Sequence, residues 1–140
     1  MARMGAHGLD ALIEKLEKLS DKSRVDEIAK KAVNAATPTA VNAVKSAVGA
    51  SEYGPRATGS VSKSIQGTSA KINQFGVFSV AKPTGRDAKG RANAYKATIL
   101  ENGNSKIAAR PWRAKAVSAA EGSCVKIMEQ VIKSEMGCDS

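Results

Sequence analysis

Tyr95-Lys96-Ala97-Thr98-Ile99-Leu100-Glu101-Asn102-Gly103-Asn104-Ser105, followed closely by Ala109-Arg110-Pro111-Trp112-Arg113-Ala114-Lys115-Ala116-Val117, is the passage on which the reading of this chain turns. An aromatic-led apolar segment runs into an acid-Asn-Gly turn, a short polar connection, and a Pro-aromatic pair that opens an amphipathic run. Asn102-Gly103 marks a reversal, because glycine accepts positive φ without a Cβ clash and asparagine tolerates that region better than most residues. Pro111 suits the first turn of a helix, where its missing N–H has no intrahelical partner. Trp112 is the only tryptophan in a chain with 4% aromatic residues, so it is expected to plug the helix start as a core residue.

Beyond that point, Trp112, Ala116, Ala119, Ala120, Cys124, Ile127, Met128, Val131 and Ile132 keep helical spacing, and Gly137 is a natural stop. The last element is therefore a helix over 111–136, with 137–140 as a tail. Working back, the 94–101 segment reads as a short helix or a strand. Tyr95, Ala97 and Ile99 alternate, yet Tyr95, Ile99 and Leu100 share a helical face, and helix is preferred.

Residues 83–93 carry Pro83, Gly85 and Gly90 among basic side chains with no apolar anchor, which predicts a mobile basic loop. Before it, Ile65, Ile72, Phe75, Val77, Phe78 and Val80 alternate with polar residues, which predicts a β-hairpin within 61–82, with strands of 64–72 and 75–82 joined near Asn73-Gln74. Ser51 to Thr58, containing Gly54-Pro55, is a loop. Upstream, Val25, Ile28, Ala29, Ala32, Val33, Ala36, Ala40, Val44 and Val48 form a long Ala-rich helical stripe over 23–50. Pro38 interrupts it, removing a hydrogen bond and clashing with the carbonyl of Asn34 at a cost of about 3 kcal/mol in a straight helix. The expectation is a kink, or two helices meeting where Thr37 caps a restart. Leu9, Leu12, Ile13, Leu16 and Leu19 predict a further short amphipathic helix over 9–19. The fold class is α+β: two N-terminal helices, a central antiparallel hairpin with a basic loop, and a long C-terminal helix. A length of 140 residues suits a single domain, 1–140.

Composition narrows the function classes. The net charge is +9, and between positions 82 and 96 Lys82, Arg86, Lys89, Arg91 and Lys96 face only Asp87. Such a field attracts polyanions through counterion release, and it equally suits a solvated loop. Between Lys82 and Arg91 no aromatic is interleaved to stack on bases, and Tyr95 beside Lys96 is the single aromatic in the range. His7 is the only histidine, so an imidazole base beside a nucleophile is missing, and Glu101 before Asn-Gly suits a turn or a subunit interface better than catalysis. Cys124 and Cys138 stand at no metal-ligand spacing, and no GK[ST] phosphate loop occurs. The expectation is no catalytic residue, no metal, no cofactor and no small-molecule substrate. No apolar run reaches the ~18–20 residues that span a bilayer and no secretory signal opens the chain, so a soluble protein that starts in the cytoplasm is expected. With an apolar fraction of 42% rich in alanine, burial is expected to be completed against another subunit.

Taken in order, Gly8-Leu9-Asp10 with Leu12, Thr58-Gly59-Ser60-Val61 with Ser64-Ile65, Tyr95 through Glu101 and Gly103, and Pro111-Trp112 with Ala114 resemble the tail-component family of long-tailed bacteriophages. That family's pattern reads roughly Thr-Gly-x-Leu-x-x-Ser-Ile, Tyr-Ala-x-x-x-Glu-x-Gly and Pro-Phe-x-x-Pro-Ala. Here Val61 stands for Leu, Lys96 for Ala and Trp112 for Phe, and the second proline is absent. The resemblance covers about 8–135 and rests on the order of short motifs. It implies structural roles for Thr58, Gly59, Ser64, Ile65, Tyr95, Glu101, Gly103, Pro111 and Trp112. It also implies a virion protein made in the host cytoplasm: a homo-oligomeric ring at the neck or tail end, serving tail completion or head-tail joining. Its partners would be connector and tail-tube proteins, and the basic loop of Lys82, Arg86, Lys89, Arg91 and Lys96 would face a neighbouring ring or the lumen, where passing genomic DNA would be touched without sequence preference. The alternative is a small basic nucleic-acid-binding module, which the basic pI of about 9.8 also suits.

Overall fold

In the computed structural model, residues 22–53 and 57–136 are described. The expected helix over 9–19, Gly54-Pro55 and the 137–140 tail lie outside the described residues, as do His7 and Cys138. The elements in chain order are α1 (Lys22–Ser51), α2 (Ser60–Lys63), β1 (Ile65–Gly67), β2 (Lys71–Asn73), β3 (Gly76–Phe78), β4 (Ala81–Pro83), α3 (Asn93–Asn102) and α4 (Arg113–Glu135).

The two long helices form the frame. The first half of α1 supplies Val25, Ile28, Ala32 and Ala36 to one apolar cluster, and the second half of α4 supplies Ala120, Cys124, Met128 and Ile132. The second half of α1 supplies Val44 and Val48 to another, where Trp112 and Ala116 from the start of α4 meet Val61, Ile65 and Ala97. Early α1 meets late α4 and late α1 meets early α4, so the pair is antiparallel. Along α4 the buried positions recur at every fourth residue from Ala116 to Ile132. Four residues at 3.6 per turn advance the row by about 40° per step, so it winds around the helix and can face different partners at its two ends. Alanine at 32, 36, 116 and 120 lets the backbones approach closely, and no helix among the described residues is long and apolar enough to cross a membrane.

Pro38 falls inside one continuous helix, not between two. Both Pro38 and Asn34 are exposed, so the interruption of helical hydrogen bonding falls away from the buried face of α1. Thr37 does not cap a restart. Its Oγ1 donates back to the Val33 carbonyl at 2.8 Å and lies 2.7 Å from Ser79 Oγ, tying the helix to the hairpin.

The hairpin is broken into two ladders. At its base Ile65, Gln66 and Gly67 pair with Pro83, Lys82 and Ala81. At its tip Lys71, Ile72 and Asn73 pair with Phe78, Val77 and Gly76. Residues 68–70 on one strand thus oppose only 79–80 on the other, a one-residue bulge that hydrophobic alternation does not announce. The Ala70 amide at the bulge is taken by Asn34 Oδ1 of α1 at 2.8 Å. Gly67 meets the same helix so closely that a Cβ there would stand 2.4 Å from Thr37 Cγ2. The expected strand start at 64 and hairpin start at 61 also shift. Gly59 at φ 71° opens a helical turn, α2, so the strand begins at Ile65. Segment 94–101 lies within helix α3.

Candidate interaction surface

Two polar assemblies sit beside this frame, each built around one carboxylate. The first is the joint between α3 and α4. α3 stops at Asn102 because Gly103 adopts φ 73°, and a Cβ there would lie 2.7 Å from the Ala109 nitrogen. The chain is thereby folded tightly onto itself, with the Arg110 amide donating to the Leu100 carbonyl at 2.6 Å. Glu101, in the last turn of α3, then accepts the Trp112 and Arg113 amides on Oε2 at 2.8 and 3.1 Å. These amides open α4 and have no partner within it, so Glu101 caps a helix to which it does not belong. Trp112 is 2% exposed and donates from Nε1 to the Ala97 carbonyl at 3.0 Å, as expected of a core plug. Pro111 stands outside α4, whose first residue is Arg113, rather than in its first turn. The Arg110 guanidinium lies 3.6 Å over the Tyr53 ring and donates to the Ser51 and Tyr53 carbonyls, holding the end of α1 to the joint.

The second assembly is the basic segment. Asp87 has a side chain only 7% exposed, and it gathers the segment around itself. Its Oδ1 accepts the Lys89 and Arg91 amides, each at 2.9 Å, and its Oδ2 lies 3.3 Å from both Arg91 Nε and Lys96 Nζ. The Arg91 amide, foremost, with the Lys96 and Lys89 hydrogen bonds and the Arg91 charge, holds the Asp87 carboxyl below its ordinary range against the opposing effect of burial. Arg86 bridges to Ala92 and donates from NH1 to the Gly90 carbonyl at 2.8 Å. The segment expected to be mobile thus carries hydrogen bonds at both ends and through its middle.

The five cations singled out from the sequence do not share one environment. Lys82 is exposed on β4 opposite Gln66, and Lys89 is exposed on the loop. Arg86 is exposed too, and the Arg91 side chain is 60% exposed despite its contact with Asp87. Lys96 differs: its side chain is 24% exposed and its Nζ is committed to Ser60 Oγ at 2.7 Å and to Asp87.

The motif positions scatter over several roles. Thr58 Oγ1 accepts the Ser60 amide at 3.4 Å and Gly59 supplies the turn into α2. Ser64 donates to the Val61 carbonyl, and its own carbonyl accepts both the amide and the hydroxyl of Thr84. Ile65 is core, whereas Tyr95 is exposed. Asp87 and Asn93 escaped the sequence reading as organisers. The available signal was an aspartate opening the Asp87-Ala88-Lys89-Gly90-Arg91 turn, where Asp side chains commonly take amides two residues on. Asn93, buried at the start of α3, donates to the Thr84 carbonyl at 2.8 Å. Cys124 is buried and free, and burial raises its thiol pKa. Among the described residues, no cluster of His, Cys, Asp or Glu is arranged to hold a metal ion.

A family model described as "Bacteriophage HK97-gp10, putative tail-component" matches residues 10–103, well over half of the chain. No curated protein and no solved structure gives a match.

Proposed function

Because the chain belongs to the HK97-gp10-like family of bacteriophage tail components, we propose that identical copies of it form a ring at the neck or tail end of the virion, completing the tail or joining it to the head. The genome passes through the lumen of that ring, and the basic loop faces it. The host cytoplasm supplies the free subunit, and connector and tail-tube proteins are its neighbours.

The observation that carries this reading is the hairpin. Each of its ladders has only two strands, so its outer edges find no further strand among the described residues, and Phe75 at its tip is 80% exposed. Unpaired edges and a presented aromatic ring favour pairing with another chain. A closed ring of like subunits needs a contact between two different surfaces, and a protruding hairpin supplies one of them. The Ala-rich stripe of α1 is buried within the chain against α4, which leaves the hairpin as the surface for contacts between copies. The function needs no chemistry, and Glu101, the acid nearest a turn, spends its carboxylate on capping α4.

Size-exclusion chromatography with light scattering tests the proposal, on the purified chain alone and mixed with the proteins encoded beside it. The expected result is a closed multiple of 14.6 kDa or a defined complex with a connector or tail-tube partner. A chain that stays monomeric at every concentration and ignores those partners overturns it.

A further inference from the structure

Counting charges treats the segment from 82 to 96 as five equivalent cations, but the hydrogen bonds sort them. Lys96 Nζ is held between Ser60 Oγ at 2.7 Å and Asp87 Oδ2 at 3.3 Å, so its charge is largely used inside the fold. Lys82, Arg86, Lys89 and Arg91 remain exposed; Arg91 Nε also reaches Asp87 Oδ2 at 3.3 Å, but its side chain is 60% exposed against 24% for Lys96. Asp87 fixes two of these four through their own backbone, since the amides of Lys89 and Arg91 both end on its Oδ1. The loop is closed further by the Asp87 amide donating to the Arg91 carbonyl at 2.8 Å and the Gly90 amide donating to the Asp87 carbonyl at 3.0 Å. A loop fastened in this way loses less conformational entropy on binding than a free one with the same charge.

We propose that Asp87 is the positioning residue of a four-cation phosphate-binding loop, in which Lys82, Arg86, Lys89 and Arg91 meet the backbone of double-stranded DNA and Lys96, held by Ser60 and Asp87, makes no phosphate contact. The inference rests on the reading in which this loop faces the passing genome. The chemistry recognised is the phosphodiester backbone and not the bases, because no aromatic side chain lies between these cations to stack on a base. An acid inside a DNA-binding loop opposes binding if charge alone matters. Here it aims two cations whose gain outweighs its own repulsion.

That opposition gives the test a sign. Binding of the full chain to a fluorescent duplex is followed by anisotropy between about 50 and 200 mM salt, where four phosphate contacts give a log–log slope of about −3.6. Neutralising Lys82, Arg86, Lys89 or Arg91 to Ala makes the slope shallower by about 0.9 each, whereas Lys96→Met leaves it unchanged. Asp87→Ala removes the Oδ1 acceptor and raises the net charge from +9 by one, so charge counting demands tighter binding. Positioning demands the reverse, weaker binding with a slope shallower by about 1.8, two contacts' worth.

Tighter binding by Asp87→Ala overturns the inference, as does a Lys96→Met slope that falls like the other four. A wild-type chain that ignores duplex at about 50 mM salt while binding an acidic polypeptide also overturns it. If Asp87→Ala does not fold by circular dichroism, Lys96→Met against Lys89→Ala decides alone. Ring assembly without duplex binding removes this loop assignment and leaves the ring. Duplex binding by a chain that never assembles does the opposite.

Discussion

The α1–α4 seam and the two carboxylate-centred assemblies hold the same molecule together by opposite means. The seam is an apolar contact lined by alanine, valine and isoleucine, in which stability comes from area removed from water and from close backbone approach. The basic loop buries little apolar surface and the α3–α4 joint is built around the buried Trp112, and each is fastened by one acid that takes two amides. The first kind of bonding is spread over many side chains and forgives a conservative change at most of them. The second concentrates its dependence on Glu101 and Asp87, where one atom matters.

The largest effect expected from breaking this contrast lies on the seam. Ile132→Ala leaves a void at a fully buried position and is expected to destabilise by about 2–5 kcal/mol in urea unfolding. A loss below about 1 kcal/mol would show that the seam closes up around the void and is less tightly packed than described. Next comes Glu101→Gln, which keeps size and one acceptor oxygen but removes the charge from the α4 cap. It should cost about 1–2 kcal/mol, and a neutral result would reduce the cap to one replaceable by water.

The smallest effect is local and depends on pH. Asp87 has a lowered folded-state pKa, so its contribution is fully present above the unfolded value and is lost as pH falls through the folded one. Amide exchange at Lys89 and Arg91, followed by NMR and taken relative to the intrinsic rate at each pH, should therefore hold steady down to about pH 4 and accelerate below it, while amides of α1 are unaffected. Acceleration already near neutral pH would mean that the loop is fastened by something other than this carboxylate.

These differences also govern what was legible in the chain. The seam could be read in advance, since Val25 to Val48 and Ala116 to Ile132 repeat at helical spacing and periodicity reports one-sided burial directly. Trp112 was legible as a plug for the same reason. The polar assemblies were not, because a carboxylate that caps a helix from another element leaves no period and no fixed spacing. Glu101 announced its turn but not its amides, and Asp87 registered only as the lone acid among cations. The bulge was hidden because side-chain alternation does not reveal which strand carries the extra residue. Pro38 left two outcomes open, one bent helix or two helices, and the structure has the single helix, with Pro38 and Asn34 both exposed.

The hairpin hangs from a short stretch of α1. Asn34 holds the bulge, Thr37 holds Ser79, and Gly67 rests against Thr37 and Val41, so these three attachments fall within a turn or so of the proline. From Ala70 to the Phe75 tip the strand reaches about 15 Å beyond its last anchor at ~3.3 Å per residue, and a pivot of only about 4° at the helix sweeps the tip through about 1 Å. The site of lost helical hydrogen bonding is thus the fulcrum of a lever, and small adjustments there translate into repositioning of the aromatic ring that neighbours would grip.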